Sequence, residues 1–364
     1  MEILVFGAGA VGGYLGGLLA YGGYDVTLVA RGQAAAAIQK HGLTILKETQ
    51  QFYSQPKVVT SFRQAVVDQK SYDLILVCMK SYDVAAAVNE MVAFCPKPPT
   101  VITLQNGIGI QEMFNKEFGP ENIIAGSLTT PLSHEAYRTI MVERIDRGLA
   151  LSPTEAGQNI NRWVNLFIGV GVDTIGIEDY RSMKWSKALL NMIGNATSAI
   201  LNRHPRVIYN FRPTFKIERD MLKETAAVMK GLKLRGVDLP GVTTGRLLTS
   251  IKWLPNSVLQ PNLAKIIAEG RGNKLPSFHL DLVSGKSENE VTYHNGTVAK
   301  IGDSLNIPTP VNTALNDILM KLVHKEVDYG LYDGKPKRLV AEVSRYQEEA
   351  KEKKKRDKKK KKKK

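Results

Sequence analysis

The segment KWSKALLNMIGN, residues 184–195, sets Lys187, Asn191 and Asn195 four residues apart among apolar neighbours. On a helix this spacing aligns one cation and two neutral amides along a single face. A polar stripe is ordinarily the wet side of a helix. Here Trp185, Ala188, Leu189, Leu190, Met192 and Ile193 leave little width for a solvated face, and asparagine is a poor choice where only helix propensity matters. Farther along, SFHLDLVSGKSENEVTYHNG puts Ser277 ahead of a helix, Asp281 in the next turn, and Glu290 at the start of a face continuing through Tyr293 and Thr297. A lysine on one helix and a glutamate on another can form a salt bridge and nothing more. If they line a cleft, they supply an acid whose pKa the surroundings can set.

Such residues need a scaffold, and the N-terminus reads as one half of it. EILVFGAGAVGGYLGGLLAYGG runs from an apolar strand through Gly7, Ala8, Gly9, Ala10, Val11 and Gly12 into a helix of small residues, and YDVTLVAR returns as a second strand. In a G-x-G-x-x-G turn the first glycine bends the chain, the second lets backbone approach a pyrophosphate, and the third lets helix and strand pack closely. The anion then sits on the free N–H groups of the helix N-terminus. An NAD site would carry Asp or Glu at the end of the second strand, whereas this chain has Arg31, which suits the extra phosphate of NADP(H). Lys80 and Asn106 close two further strands, YDLILVCMK and PTVITLQNGIG, at the carboxyl edge where such sheets bind ligands.

Residues 122–130 read as a later strand, 137–152 as hairpin material, 154–168 as a helix and 172–175 as a last strand. Beyond Glu178 the strand patterns give way to helical ones. Residues 211–235 have helical periodicity, 241–276 read as loop-rich, and helical character returns from Phe278. The expected fold is an α/β Rossmann-type doubly wound sheet domain over residues 1–177, followed by an all-α domain over 178–345. A nucleotide sheet paired with a helical half implies a cleft.

Composition bounds the rest. With 364 residues and 43% hydrophobic content the chain is long enough for two cores. Cys78 and Cys95 lie in no metal or disulfide spacing, which suits a reducing, cytoplasmic setting with no metal. No apolar run approaches the roughly 20 residues that span a bilayer. Residues 351–364 carry twelve Lys or Arg against Glu352 and Asp357, and so hold +10 of the formal net charge of +15. Like charge at this density is expected to leave 346–364 a disordered tail, able to hold polyanions weakly and salt-sensitively. With no basic stripe interleaved with aromatics elsewhere, specific nucleic-acid reading is disfavoured.

Taken together, GAGAVGGYLGGLLA, VARG, VCMKSYD, LQNGIG, KWSKALLNMIGNATSAI and ENEVTYHNG resemble the ketopantoate reductases (2-dehydropantoate 2-reductases) in order and spacing, over residues 1 to about 325. The resemblance implies a Rossmann domain, a C-terminal domain of the 6-phosphogluconate-dehydrogenase type, and NADPH-dependent reduction of a small 2-oxo acid in pantothenate synthesis. It implies that Lys187 is the general acid and that Asn106 touches cofactor and substrate. Asn191, Asn195 and Ser277 would hold substrate, and Glu290 would lie beside the cofactor and active site. Hydride arriving at a ketone carbon leaves charge on oxygen, and a cation able to donate a proton relieves it. The chain departs from the pattern at Ala196-Thr197-Ser198, at His204-Pro205 and in a longer 270–276 segment. Two other readings stay open: a β-hydroxyacid or other 2-oxo acid dehydrogenase, and an NADPH-binding regulator. The helical half is also open to pairing as a homodimer.

Overall fold

The computed structural model describes residues 1–68, 71–271 and 275–361, and divides the chain into two compact units. The first holds Met1–Lys187 with Val237–Thr243, and the second Ala188–Gly236 with Thr244–Lys364.

In the first unit the glycine turn joins β1 (Glu2–Phe6) to α1 (Ala10–Tyr21), followed by β2 (Asp25–Val29) and α2 (Gly32–His41). A hairpin of β3 (Leu43–Lys47) and β4 (Gln50–Ser54) precedes β5 (Lys57–Val59) and α3 (Phe62–Asp68). Then come β6 (Leu74–Val77), α4 (Val84–Phe94), β7 (Thr100–Thr103), α5 (Ile110–Phe118) and β8 (Ile123–Leu128). The order β5-β2-β1-β6-β7-β8, all parallel, is that of a doubly wound nucleotide fold. The central strands read as continuous apolar runs because helices cover both faces: Ile3, Leu4, Leu74, Ile75, Val101 and Ile102 are fully buried.

After β8 come β9 (Leu132–Ala136), β10 (Thr139–Val142), β11 (Leu149–Pro153), α6 (Asn161–Gly169) and β12 (Thr174–Gly176). The expected hairpin over 137–152 is corrected here. Only β9 and β10 pair as one, while β11 returns to the main sheet antiparallel to β8 and carries β12 at the edge. β10 also pairs with β3, making a second sheet of order β4-β3-β10-β9. Helix α1 touches both sheets. A Cβ on Gly16 would meet Leu28 and Val5 of the large sheet, and one on Gly13 would meet Ile140 of the small one. Helix α6 starts at Asn161, later than residue 154, after the turn in which Thr154 N–H donates to Gln158.

α7 (Tyr180–Met192) passes from the first compact unit into the second, the two dividing after Lys187. Its first half is tied to the sheet by Lys184, whose ammonium donates to the Gln105 and Gly126 carbonyls. The second unit is helical: α8 (Ala196–Leu201), α9 (Pro205–Asn210), α10 (Arg212–Gly231), α11 (Thr244–Trp253), α12 (Asn256–Arg271), α13 (Ser277–Val283), α14 (Asn295–Ser304), α15 (Pro310–Val323) and α16 (Pro336–Lys361). The loop-rich reading of 241–276 is overturned by α11 and α12. Pro255 falls in the break between them, and Pro261 is exposed inside α12, where water can satisfy the carbonyl it leaves free. Glu224 of α10 caps α15, accepting from the Val311 and Asn312 N–H groups at 3.0 Å each. Burial raises the pKa of Glu224 to about 7 against the opposing pull of those donors.

The Lys-rich end also departs from expectation, because it continues α16 to Lys361 instead of being disordered. Lys, Arg and Glu are good helix formers, and Arg345–Glu349 and Arg356–Glu352 pair one turn apart. Residues 362–364 of that expectation lie outside the described residues, as do 272–274 of the longer 270–276 segment.

Candidate functional site

At the carboxyl edge of the first unit's sheet, Gly7 turns at φ +107°, in the left-handed region that glycine occupies without strain. A Cβ on Gly12 would run into the Gly7 carbonyl oxygen and lie 3.0 Å from the Cβ of Cys78. The helix therefore packs so closely on the turn that only glycine fits. Gly9 is the N-cap of α1, makes no side-chain cap, and has nothing within 4 Å of where its Cβ would stand. With Ala8, Ala10 and Val11 around it, this leaves open space in front of uncapped helix N–H groups, the arrangement that takes a phosphate.

Arg31 is exposed at the end of β2 as the N-cap of α2. Lys80 follows β6 and begins a short 3₁₀ turn over Ser81–Asp83. Asn106 follows β7 and is half-buried. The preceding Gln105 is buried and donates to the Val77 carbonyl at 2.8 Å, locking the exits of β6 and β7 together. Burial pushes the Cys78 thiol up from its usual range, which removes it as a nucleophile. Among the described residues no three His, Cys, Asp or Glu side chains gather as metal ligands, and no helix is long and apolar enough to cross a membrane.

The stripe of Lys187, Asn191 and Asn195 is not one helical face. α7 carries Lys187 and Asn191 one turn apart but ends at Met192; Gly194 then takes φ +62°, and Asn195 begins α8 as its N-cap. The break turns the Asn195 amide toward α13. Its Nδ2 donates to the Asn191 carbonyl at 3.0 Å and to Ser277 Oγ at 3.3 Å, while its Oδ1 accepts from Phe278 N–H at 3.0 Å. Asn191, Asn195 and Ser277 are thus gathered in the second unit, with Ser277 exposed and Asn195 buried. Asn289 ties Glu290 to the same place by donating to the Phe278 carbonyl at 2.9 Å and accepting from Val291 N–H. Glu290 is buried at the start of a 3₁₀ turn, Glu290–Tyr293, so the expected face from Glu290 through Thr297 is interrupted before α14 begins at Asn295. His204 caps α9, accepting the Arg206 N–H at 3.2 Å.

Two buried charges escaped sequence reasoning. Lys184 is 2% exposed on α7, and Glu218 of α10 is fully buried. Glu218 accepts from the Gly194 N–H and the Tyr209 hydroxyl at 2.7 Å each, and from Thr197 Oγ, and so holds the bend that delivers Asn195. Glu218→Ala strands these donors, and we expect it to destabilise the second unit by about 1–3 kcal/mol for each one left buried and unsatisfied. Urea unfolding followed by circular dichroism checks this; an unchanged midpoint would mean the bend holds itself.

Compared with known proteins, residues 3–151 match the family model described as ketopantoate reductase PanE/ApbA, and 179–323 match its C-terminal model. A 2-dehydropantoate 2-reductase of Pyrococcus horikoshii is 29% identical over 321 residues, covering 86% of this chain and 95% of that one. One from Halobacterium salinarum is 25% identical over 88% and 98% of the two chains. The crystal structure of a PanE/ApbA family ketopantoate reductase from Ralstonia eutropha superposes with a TM-score of 0.75 at 26% identity, covering 90% of this chain and 99% of that one. A D-mandelate dehydrogenase structure with NADH and anilino(oxo)acetate shares the fold with a TM-score of 0.74 at 19% identity, covering 89% of this chain and 99% of that one.

Proposed function

Because the chain belongs to the ketopantoate reductase family, oxidoreductases of the CH–OH group that use NADP(H), we propose that it reduces 2-dehydropantoate to pantoate with NADPH, on the route to pantothenate and coenzyme A. The observation that carries the cofactor half is the glycine turn: open space at Gly9, a helix N-terminus without a side-chain cap, and Arg31 at the end of β2. These residues fit a dinucleotide whose pyrophosphate lies on α1 and whose 2′-phosphate is gripped by Arg31, with Lys80 and Asn106 contacting it at the sheet edge.

When bound there, NADPH would supply a hydride for the C2 carbonyl carbon. Lys187 gives a proton to the carbonyl oxygen as charge grows on it. Asn191, Asn195 and Ser277 hold the substrate's hydroxyl and carboxylate, with Asn195 itself fixed by Phe278 N–H. Asn106 orients both reactants, and Glu290 is the acidic residue assigned to the same reaction.

The test is NADPH oxidation followed at 340 nm with ketopantoate, beside NADH and a panel of small 2-oxo acids. Turnover with ketopantoate and preference for NADPH are expected. Arg31→Ala should raise KM for NADPH by about 10–100-fold, the loss of roughly 1.5–3 kcal/mol of charge-assisted hydrogen bonding, and leave NADH unaffected. Equal losses with both coenzymes would remove Arg31 as the phosphate reader. A second reading, reduction of a different 2-oxo acid, is favoured by the substrate-side departures at Ala196-Thr197-Ser198 and by His204 serving as a helix cap. Turnover confined to another member of the panel would select it. A cytoplasmic setting, a homodimer, and weak, salt-sensitive capture of polyanions by the Lys-rich end belong to the same proposal.

A further inference from the structure

A lysine that spends its hydrogen bonds on backbone carbonyls is an unusual thing to bury. Lys184 is 2% exposed, and its ammonium donates to two backbone carbonyls, Gln105 at 2.9 Å and Gly126 at 2.5 Å. Gln105 immediately precedes Asn106 where the chain leaves β7, and Gly126 lies in β8. One side chain of α7 therefore ties the exit of β7 and the body of β8 to the helix that carries Lys187. Lys184 and Lys187 are three residues apart on that helix, close enough for their charges to interact.

We propose that Lys184 is a positioning residue of the reductase: it pins the Gln105–Asn106 turn to α7 and, as a like charge one turn before Lys187, governs how readily Lys187 releases its proton. The inference rests on the reduction proposed above and adds a residue to it. A methionine of similar length would fill the same buried volume, so packing alone does not call for an ammonium here. The charged groups acting on Lys184 are Lys187 on its own helix and Glu112 on α5, the latter hydrogen-bonded to Tyr180 at the start of α7. Burial first, and Lys187 second, bring the pKa of Lys184 down to about 7, while Glu112 opposes them. As pH rises through 7, Lys184 loses the charge that acts on Lys187.

Competitive acetylation of the intact protein, with Lys187 followed by peptide mass spectrometry from pH 5 to 11, reads this without substrate or coenzyme. We expect the Lys187 profile to have two steps, the first near pH 7. In Lys184→Met it should collapse to one step, displaced to higher pH by about one unit relative to the low-pH limb. In the same variant kcat should fall about tenfold, with a smaller change in KM for NADPH. A single-step profile in the wild-type protein overturns the coupling even if no variant folds. A folded Lys184→Met with wild-type profile and kcat overturns the proposal as a whole. Absence of turnover by the wild-type protein on any 2-oxo acid would instead sink the reductase reading, and the acetylation profile would still decide the role of Lys184.

Discussion

Lys187→Ala lowers kcat with ketopantoate by about 10²–10⁴-fold, the range for loss of a positioned general acid, while NADPH binds as before. The separation follows from where the parts lie. The proposed phosphate cradle lies on the glycine turn of Gly7, Gly9 and Gly12, whereas Lys187 sits on α7. Lys187 would meet the substrate oxygen as negative charge develops, so its loss should lower kcat and kcat/KM together, the pattern of an interaction made in the transition state. Stopped-flow reduction gives the rate, and quenching of protein fluorescence gives the NADPH affinity. Partial rescue by added methylammonium would mark the missing group as a proton donor. An unimpaired rate would remove Lys187 as the acid, and loss of NADPH binding in parallel would make it a structural residue.

The contrast between what could and could not be read from the residues has a physical basis. The glycine turn was legible because its constraint is local. Gly7 must adopt φ +107° and Gly12 must admit a backbone oxygen, and both demands fall on a few neighbouring residues. The second sheet was not legible, because β3 and β10 pair across a long stretch of chain and neither strand is distinctive alone. Its trace was a second set of glycines on α1, since Gly13 and Gly17 face Leu43, Ile45 and Ile140 while Gly12 and Gly16 face the first sheet. At the site, the four-residue spacing from Lys187 to Asn195 is not carried by one helix. Gly194 in MIGN is a helix-ending signal that a periodicity count passes over, and the bend it makes turns Asn195 toward Ser277. Lys184 and Glu218 were missed because a charged residue in an amphipathic pattern reads as exposed, and only tertiary hydrogen bonds can reverse that. The tail was misjudged by weighing repulsion between like charges above the helix propensity of the same residues.

The same local constraint yields a prediction that separates binding from stability. Gly12→Ala places a methyl group against the Gly7 carbonyl oxygen and 3.0 Å from the Cβ of Cys78. Backbone cannot swing aside as a side chain does, and a Cβ at Gly7 would itself stand 3.0 Å from the Met79 N, so the turn has no room to retreat. Helix α1 must therefore back away from the turn, at an overpacking cost of about 1–3 kcal/mol. Its first N–H groups move with it. If NADPH loses one or two charge-assisted hydrogen bonds of roughly 1.5–3 kcal/mol each, its Kd rises by at least about tenfold. Gly9→Ala should behave differently. Gly9 has φ −73° and open space around its Cβ position, so alanine fits the folded chain without strain. That space is where the pyrophosphate is proposed to lie, and the methyl group would keep it out. Thermal unfolding and NADPH titration, measured on both variants, should show Gly12→Ala losing stability and affinity together and Gly9→Ala losing affinity alone. Wild-type NADPH affinity in Gly9→Ala would mean that the anion does not sit over α1, and would move the cofactor away from the glycine turn.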